Sequence, residues 1–189
     1  MTAARTPRYV PYEEFLVAEA ASDLKHEWVD GVVYAMSRGT PEHGRLTMNV
    51  GFEMFGHLRQ RGCAVFSSDV AILIEAANHH TYADLSVVCG PVEMREVRDK
   101  NQKSIGKAIT NPCVIVEVLS ESTQRYDRDA KFEAYKKLLS FEEYILVWQD
   151  EKRIEVRTRD GDRWTTVIGE PGETVRVRGV EVAVDAVYA

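Results

Sequence analysis

The sequence predicts one α/β domain in which helices flank a mixed β-sheet. Three observations support this fold class. The chain has 189 residues, about the length of a single domain that can bury a substantial core. Its composition, 44% apolar and 29% charged, excludes a disordered or collagen-like chain. Short apolar runs typical of strands also alternate with segments of helical periodicity. We expect one domain over residues 1–189, with a core at about 10–160 and added hairpins at 153–189.

The first third of the chain predicts two helices around a hairpin. Residues 11–21 form a short amphipathic pattern that begins at a proline, as helices often do. Residues 25–37 contain two short runs around Asp30-Gly31, which is a strong hairpin signal. Residues 41–62 show helical periodicity and end at Gly62, so we expect a longer helix there.

The remainder predicts most of the sheet. Residues 90–111 are polar and charged, and we interpret them as an excursion with at most a short helix. Residues 126–139 predict a helix. Residues 153–184 alternate around DGD and EPGE turns, which predicts small hairpins. Apolar runs predict strands at 63–68, 70–75, 81–89, 112–120 and 142–149.

The net charge and the cysteines of the chain narrow the range of functions that the protein can have. The net charge is -6, which argues against a basic face that clamps long duplex DNA, so any nucleic-acid contact must be local or metal-assisted. Cys63, Cys89 and Cys113 lie in separate apolar runs without zinc-site spacing, and we expect three buried, reduced thiols. The sequence contains no signal-peptide pattern and no apolar run of about 18 residues. We therefore expect a cytoplasmic protein that does not enter a membrane.

Two carboxylates stand in apolar strands. Glu117 interrupts the run VIVEVLS, and Asp84 lies in YADLSVVC. Burying an unpaired carboxylate costs on the order of several kcal/mol. If the strands are neighbours, the two acids face one point, and their repulsion calls for a hard cation such as Mg²⁺ or Mn²⁺. The alternative is that Asp84 caps a strand end and Glu117 pairs with an arginine.

Lys131 is the third candidate. At about 100° per residue, it falls inside the apolar stripe of the predicted helix, whereas Lys136 and Lys137 face solvent. A lysine beside a metal-bound water can orient the nucleophile and stabilise charge on a phosphate. The alternative is a lysine whose stem packs while its ammonium reaches water. The stripe consists of Phe132, Tyr135, Leu138 and Leu139.

Asp84, Glu117 and Lys131, in this order, resemble the site of the PD-(D/E)XK nuclease superfamily. The run EVLSESTQRYDRDAKFEAYKKLLSFEEYILV is similar to the pattern EVLSPST…D…K…Y…EYW of a bacterial family of restriction-endonuclease-like proteins abundant in cyanobacteria. HEWVDGVVYAMS, followed by His43, resembles the N-terminal block of that family. The likeness covers roughly residues 10–160.

The resemblance implies a restriction-endonuclease-like fold and a metal-dependent endonuclease that hydrolyses DNA and leaves a 5′-phosphate. Asp84 and Glu117 would hold one or two Mg²⁺ or Mn²⁺ ions, and Lys131 would position the attacking water. Two positions depart from the pattern. Ala83 replaces a proline, and Leu119 occupies the place of the lysine in the simplest pattern, which implies that the lysine has migrated to Lys131.

Three further residues enter through the same resemblance. Glu27 would be an accessory catalytic acid near the metal, and its alternative is a surface acid beside a hairpin. His43 would contact phosphate or water, and its alternative is a helix-start histidine held by backbone. Tyr135 would line the substrate site, although packing alone explains it equally well. We interpret Gln124 and Asp127 as loop and helix-start residues, the latter favoured by the helix dipole.

Two other functions stay open. A binding module for nucleic acid or protein, with degraded chemistry on the same fold, is consistent with the acidic pI and with Leu119. A purely structural role would pair the acids with Arg125 or Arg128. For a nuclease, we expect DNA as partner and a homodimer, because two-fold symmetry suits cutting both strands of a duplex.

Overall fold

The computed structural model describes residues 8–37 and 39–189, so residues 1–7 of the predicted domain lie outside the described part. The helices are α1 (Tyr12–Glu19), α2 (Pro41–Gln60), α3 (Gln124–Tyr126), α4 (Phe132–Tyr135) and α5 (Val184–Val187). A 3₁₀ turn spans Glu75–Ala77, and a π-helical segment spans Asp127–Lys131. The strands are β1 (His26–Val29), β2 (Val32–Ala35), β3 (Cys63–Ser67), β4 (Ala71–Ile74), β5 (His79–Tyr82), β6 (Leu85–Cys89), β7 (Met94–Arg98), β8 (Ser104–Ile109), β9 (Val114–Leu119), β10 (Glu143–Trp148), β11 (Ile154–Asp160), β12 (Arg163–Gly169), β13 (Thr174–Val177) and β14 (Val180–Ala183).

Most strands belong to two six-stranded mixed sheets. The first has the order β2-β1-β5-β4-β8-β7, with β4 and β8 parallel. The second has the order β12-β11-β10-β9-β6-β3, with β9 and β10 parallel. The strands β13 and β14 form a separate hairpin. The predicted mixed α/β class with C-terminal hairpins is confirmed, and β11 and β12 extend the second sheet.

Apolar side chains fill both faces of the second sheet. Helix α2 buries Leu46, Val50, Met54 and Leu58 against one face, as its spacing predicts. Gly51 lets this helix approach β6, because a Cβ there would lie 3.2 Å from Leu85 Cδ1. The other face packs under the π segment, around the fully buried rings of Tyr135, Phe141 and Tyr144.

Three sequence-based assignments change. Residues 81–89 form two strands rather than one, because the chain passes from the first sheet to the second at Ala83–Asp84. Residues 90–111 contain the antiparallel pair β7 and β8 rather than an excursion. Their charged residues face solvent at the edge of the sheet, which hides the strand pattern. The predicted helix at 126–139 is interrupted by the π segment and ends early, so Leu139 is exposed rather than buried.

The cysteines also differ from expectation. Cys63 and Cys89 form a disulfide, and only Cys113 is a free, buried thiol. The antiparallel register of β3 and β6 places Cys63 directly opposite Cys89. Spacing along the chain does not reveal this pairing, since it depends on the strand register. Among the described helices, none has the length and apolar character to cross a membrane.

Candidate active site

A cluster of charged side chains lies where the chain crosses between the two sheets. Leu85 pairs with Val116 in the antiparallel register of β6 and β9, so Asp84 and Glu117 lie beside each other. The backbone N–H of Val118 donates to Asp84 Oδ2 at 2.7 Å. The strands therefore bring together the two acids that are 33 residues apart in the sequence, as neighbouring strands were predicted to do.

Lys131 lies at the centre of the cluster and is 3% exposed. Its Nζ lies 2.9 Å from Glu117 Oε1 and 3.2 Å from Glu27 Oε1. It also donates to the carbonyl oxygen of Tyr82 at 3.0 Å. The side chain extends from the end of the π segment, and such local departures from α-helical geometry are frequent at functional sites. Lys131 is thus enclosed by protein, and the alternative of an ammonium in water is wrong.

Glu27 connects the first sheet to the cluster. It is buried in β1 and accepts hydrogen bonds from Thr81 Oγ1 and, at 2.7 Å, from Tyr126 Oη. His79 Nε2 lies 3.8 Å from Glu27 Oε2. The alternative of a surface acid is wrong, because the carboxylate points into the body of the protein beside Lys131.

His43 and Tyr135 each contact one of the paired acids. His43, in the first turn of α2, places Nε2 3.1 Å from Asp84 Oδ2. Tyr135 Oη donates to Glu117 Oε1 at 3.1 Å. The structure thus brings together all six residues singled out from the sequence: Glu27, His43, Asp84, Glu117, Lys131 and Tyr135. Their catalytic, substrate-binding and metal-binding roles stay predictions.

The cluster also contains residues that the sequence did not predict to belong to the site. Asp127 is buried, with Oδ1 3.7 Å from Lys131 Nζ, instead of serving at a helix start. Its position four residues before Lys131 is a signal that could have indicated the contact. Tyr126, which donates to Glu27, directly precedes Asp127, so the same segment could have indicated it. Thr81 and His79 carry no such signal, because their contact with Glu27 depends on the pairing of β1 with β5.

The ion pairs of the two strand acids do not involve arginine. Across residues 8–37 and 39–189, Glu117 pairs with Lys131 and Asp84 with His43. Arg128 instead lies 3.7 Å from Glu155. The structural reading with Arg125 or Arg128 as partner is therefore wrong, whereas the bond from the Val118 amide does give Asp84 a role at the strand end.

Burial and charge together shift the pKa values at the centre of the site. Burial raises the pKa of Glu117 well above its usual value, and Lys131 only partly opposes this. Burial also raises the pKa of Asp127. For Lys131, burial acts to lower the pKa, but the surrounding negative groups, Glu117 foremost, raise it well above the ordinary lysine value. Lys131 is therefore held in its charged form by the acids around it.

At the edge of the cluster, the pKa shifts of Glu27 and His43 favour the charged form of each group. Burial acts to raise the pKa of Glu27, but the charge of Lys131 and hydrogen bonds from neighbouring side chains hold it below the usual range. The hydrogen bond to Asp84 raises the pKa of His43 above the ordinary histidine value. The cluster has four carboxyl groups beside one lysine and two histidines, so an additional cation is electrostatically favoured there.

The donor set fits a hard divalent cation. Asp84 accepts its two bonds through Oδ2, and Glu117 accepts from Lys131 and Tyr135 through Oε1. The second oxygen of each carboxylate is thereby left as the natural ligand for Mg²⁺ or Mn²⁺. In the described part of the chain, no three His, Cys, Asp or Glu side chains are already arranged as a metal site. A cation held here would therefore take further ligands from water or substrate.

The fold and the cluster of acids with a central lysine define the class of the protein as restriction-endonuclease-like. A solved structure supports this fold: a protein from Anabaena variabilis ATCC 29413, titled "a putative nuclease belonging to DUF820", superposes with a TM-score of 0.67. The match covers 88% of this chain and 91% of that chain at 17% identity.

The chain belongs to the Uma2 family, described as "Putative restriction endonuclease", whose sequence model matches residues 12–186. The resemblance seen in the sequence is therefore confirmed. Two relatives come from Synechocystis sp. PCC 6803. The protein slr1290 is 33% identical over 186 residues, covering 96% of this chain and 92% of the relative. The protein sll1609 is 30% identical over 176 residues, covering 92% and 96%.

Proposed function

We propose that this protein is a metal-dependent endonuclease that hydrolyses phosphodiester bonds of DNA and leaves a 5′-phosphate. The observation that carries the proposal is the contact of Lys131 Nζ with Glu117, 2.9 Å away, beside Asp84 at the junction of the two sheets. An acid pair with an adjacent, permanently charged lysine is suited to phosphoryl chemistry. The family description and the nuclease-like neighbour support the same class of reaction.

Asp84 and Glu117 would hold Mg²⁺ or Mn²⁺. When bound, such an ion supplies an activated water and neutralises charge on the phosphate. Lys131 orients Glu117 and adds a fixed positive charge where negative charge develops. Glu27 keeps the ammonium in place, and the hydroxyl of Tyr135 is a second hydrogen-bond donor to Glu117 Oε1. His43 holds Asp84 through Nε2 and would contact phosphate or water from this position.

The first experiment compares wild type with Asp84→Asn and Glu117→Gln. Supercoiled plasmid and labelled oligonucleotides are incubated with Mg²⁺ or Mn²⁺, and Mn²⁺ binding is followed by calorimetry. We expect cleavage to fall by about 10²-fold or more in both variants, because each removes a charge needed in the transition state. Mn²⁺ binding should weaken in parallel.

The matched control is Glu133→Gln, which removes an exposed carboxylate from the neighbouring helix α4. It should leave cleavage and Mn²⁺ binding unchanged. Cleavage by the Asp84 and Glu117 variants at the wild-type rate would refute the assignment of the site.

One observation favours a second candidate function. Leu119, at the position of the lysine in the simplest superfamily pattern, is buried among apolar side chains and contributes no charge. A nucleic-acid-binding module with degraded chemistry fits this observation. Metal binding separates the two, since such a module has no need for a cation between Asp84 and Glu117.

We also propose that the protein forms a homodimer through the outer face of α2. Met48, Phe52 and Phe55 are 71%, 82% and 46% exposed and form one stripe. The three side chains supply part of the about 800 Å² per partner that a standard interface buries, and residues flanking the stripe would supply the rest. In an antiparallel pair of α2 helices, the Glu42 end of one copy faces the Arg59 end of the other.

A further inference from the structure

Two arginines share one tryptophan ring at the edge of the second sheet. The Cζ atom of Arg153 lies 4.9 Å from the ring centroid of Trp148, and that of Arg128 lies 5.6 Å from it. Trp148 is only 3% exposed, so its ring supports the guanidinium groups and is closed to a base that would stack on it. Stacking on an aromatic face restricts a guanidinium to a few orientations.

Both guanidinium groups are incompletely paired. Arg128 Nη2 lies 3.7 Å from Glu155 Oε2, but Glu155 has a closer partner in Arg157 Nε, at 2.6 Å. Arg153 pairs with Glu151 at 3.3 Å, and the Glu151 side chain is 52% exposed. The Nε atoms of Arg128 and Arg153 are buried, and neither has a hydrogen-bond partner among the described residues.

The outer ends of the two side chains remain open to solvent. Arg128 and Arg153 keep 40% and 32% of their side-chain surface exposed. Each guanidinium keeps positive charge that its acidic neighbours balance only in part, so each favours an anion at its exposed end. Planar guanidinium groups match the oxygens of a phosphate in geometry as well as in charge.

The segments that carry Arg128 and Trp148 lead directly into the candidate active site. Arg128 directly follows Asp127, whose carboxylate lies 3.7 Å from Lys131 Nζ. Trp148 is the last residue of β10 and pairs with Leu119 of β9, and Leu119 lies two residues after Glu117. The next residue, Gln149, donates to the carbonyl of Leu119 and accepts from Thr40, which caps the helix that carries His43.

We infer that Arg128 and Arg153, held on Trp148, each bind a backbone phosphate of the nucleic-acid strand that enters the Asp84–Glu117 site. The inference rests on the proposed function and adds the group that holds the substrate. A chain with a net charge of -6 needs such a local cationic site to retain a polyanion. The contact is independent of base sequence, because only the phosphate is recognised.

The arginines also have a purely structural explanation, in which their stems cover Trp148. Arg128→Met and Arg153→Met separate the two roles, because methionine retains an apolar stem and removes the charge. Arg128→Lys and Arg153→Lys keep the charge and lose the planar group. The matched control is Arg176→Met, which removes an equally charged, exposed side chain from β13, in the separate hairpin.

The test is fluorescence anisotropy with a labelled 20-base-pair duplex, in Ca²⁺ and at NaCl concentrations between 50 and 200 mM. Each methionine variant should lower the slope of log K against log[NaCl] by about 1 and weaken binding about equally for unrelated sequences. The lysine variants should keep the wild-type slope but bind DNA more weakly, because they lose the planar group. Wild-type affinity in them would contradict the site even if a methionine variant folds poorly. Arg176→Met should bind as wild type does.

Wild-type slopes in folded Arg128→Met and Arg153→Met would overturn the phosphate site, and so would an equal loss of slope in Arg176→Met. Plasmid cleavage by the wild type separates this failure from that of the proposed function. If the wild type cuts DNA while the arginine variants bind normally, only the phosphate site is wrong. If the wild type neither binds nor cuts DNA with any divalent cation, both proposals are wrong.

Discussion

Lys131 balances the charge of the buried cluster, with Glu27, Glu117 and Asp127 all within 3.7 Å of its ammonium. Removing one partner from a buried ion pair leaves uncompensated charge, which typically costs about 3–5 kcal/mol. The same residue therefore bears on stability and on the proposed chemistry. A substitution there should affect both properties.

We predict that Lys131→Met lowers the free energy of unfolding by about 3–5 kcal/mol and reduces DNA cleavage to background. Urea unfolding and the plasmid assay measure the two effects. Lys137→Met, at an exposed lysine six residues on, should change stability by less than about 0.5 kcal/mol. A Lys131 variant as stable and as active as the wild type would contradict both roles.

His80 predicts an acid-sensitive stability. It is buried beside Tyr12, whose hydroxyl lies 2.9 Å from Nδ1, and burial lowers its pKa to about 4 from the ordinary 6.5. The unfolded chain therefore binds a proton that the folded chain excludes between these pH values. The stabilising contribution is complete above pH 6.5 and is lost as the pH falls toward 4.

We expect the free energy of unfolding to fall by about 2 kcal/mol between pH 7.5 and pH 5 because of this residue. Urea titrations of the wild type and of His80→Phe at both pH values measure the difference. The variant should lack this part of the pH dependence. If both proteins lose the same stability, another group is responsible.

At the level of strands and helices, the disulfide joins β3 to β6 immediately beside the strand that carries Glu117. It closes a loop with a sequence separation of 26 residues, and a cross-link of that length stabilises a fold by about 3 kcal/mol. The bond also ties the edge strand β3 to the sheet, which limits fraying next to the site.

Under non-reducing conditions, a thiol reagent should detect one free thiol in the unfolded protein, that of Cys113. After reduction, it should detect three. Reduction should lower the free energy of unfolding by about 3 kcal/mol. The variant with Cys63→Ser and Cys89→Ser should be insensitive to reductant. Three reactive thiols before reduction would show that the bond does not form in solution.

At the scale of the whole molecule, we expect a dimer in which the exposed apolar stripe on α2 packs against its copy. Light scattering should give twice the 21.4 kDa of one chain. Phe52→Glu should place a charge in the interface and shift the mass toward a monomer. Leu139→Glu, which changes an equally exposed apolar residue elsewhere, should remain dimeric. A monomeric wild type at tens of micromolar would exclude this interface.

The sequence revealed the central residues of the candidate site because a charged residue in an apolar strand is conspicuous. Glu117, Asp84 and Lys131 each interrupt a pattern that otherwise indicates burial. Glu27 and His43 came only from the resemblance to a family. Tyr126, Thr81 and His79 were missed, since nothing local connects them with Glu27.

Local patterns in the sequence were sufficient for α1, α2, the first hairpin and the strands β9 and β10, where periodicity and turn residues act over short distances. They were insufficient for β7 and β8, for the break at Ala83–Asp84 and for the pairing of Cys63 with Cys89. Each of these depends on which strands become neighbours and in what register, and register is a property of non-local pairing. Lys131 combines both cases. Its place in an apolar stripe and its contact with Asp127 follow from local spacing, whereas Glu27 and Glu117 come from distant strands that only folding brings to it.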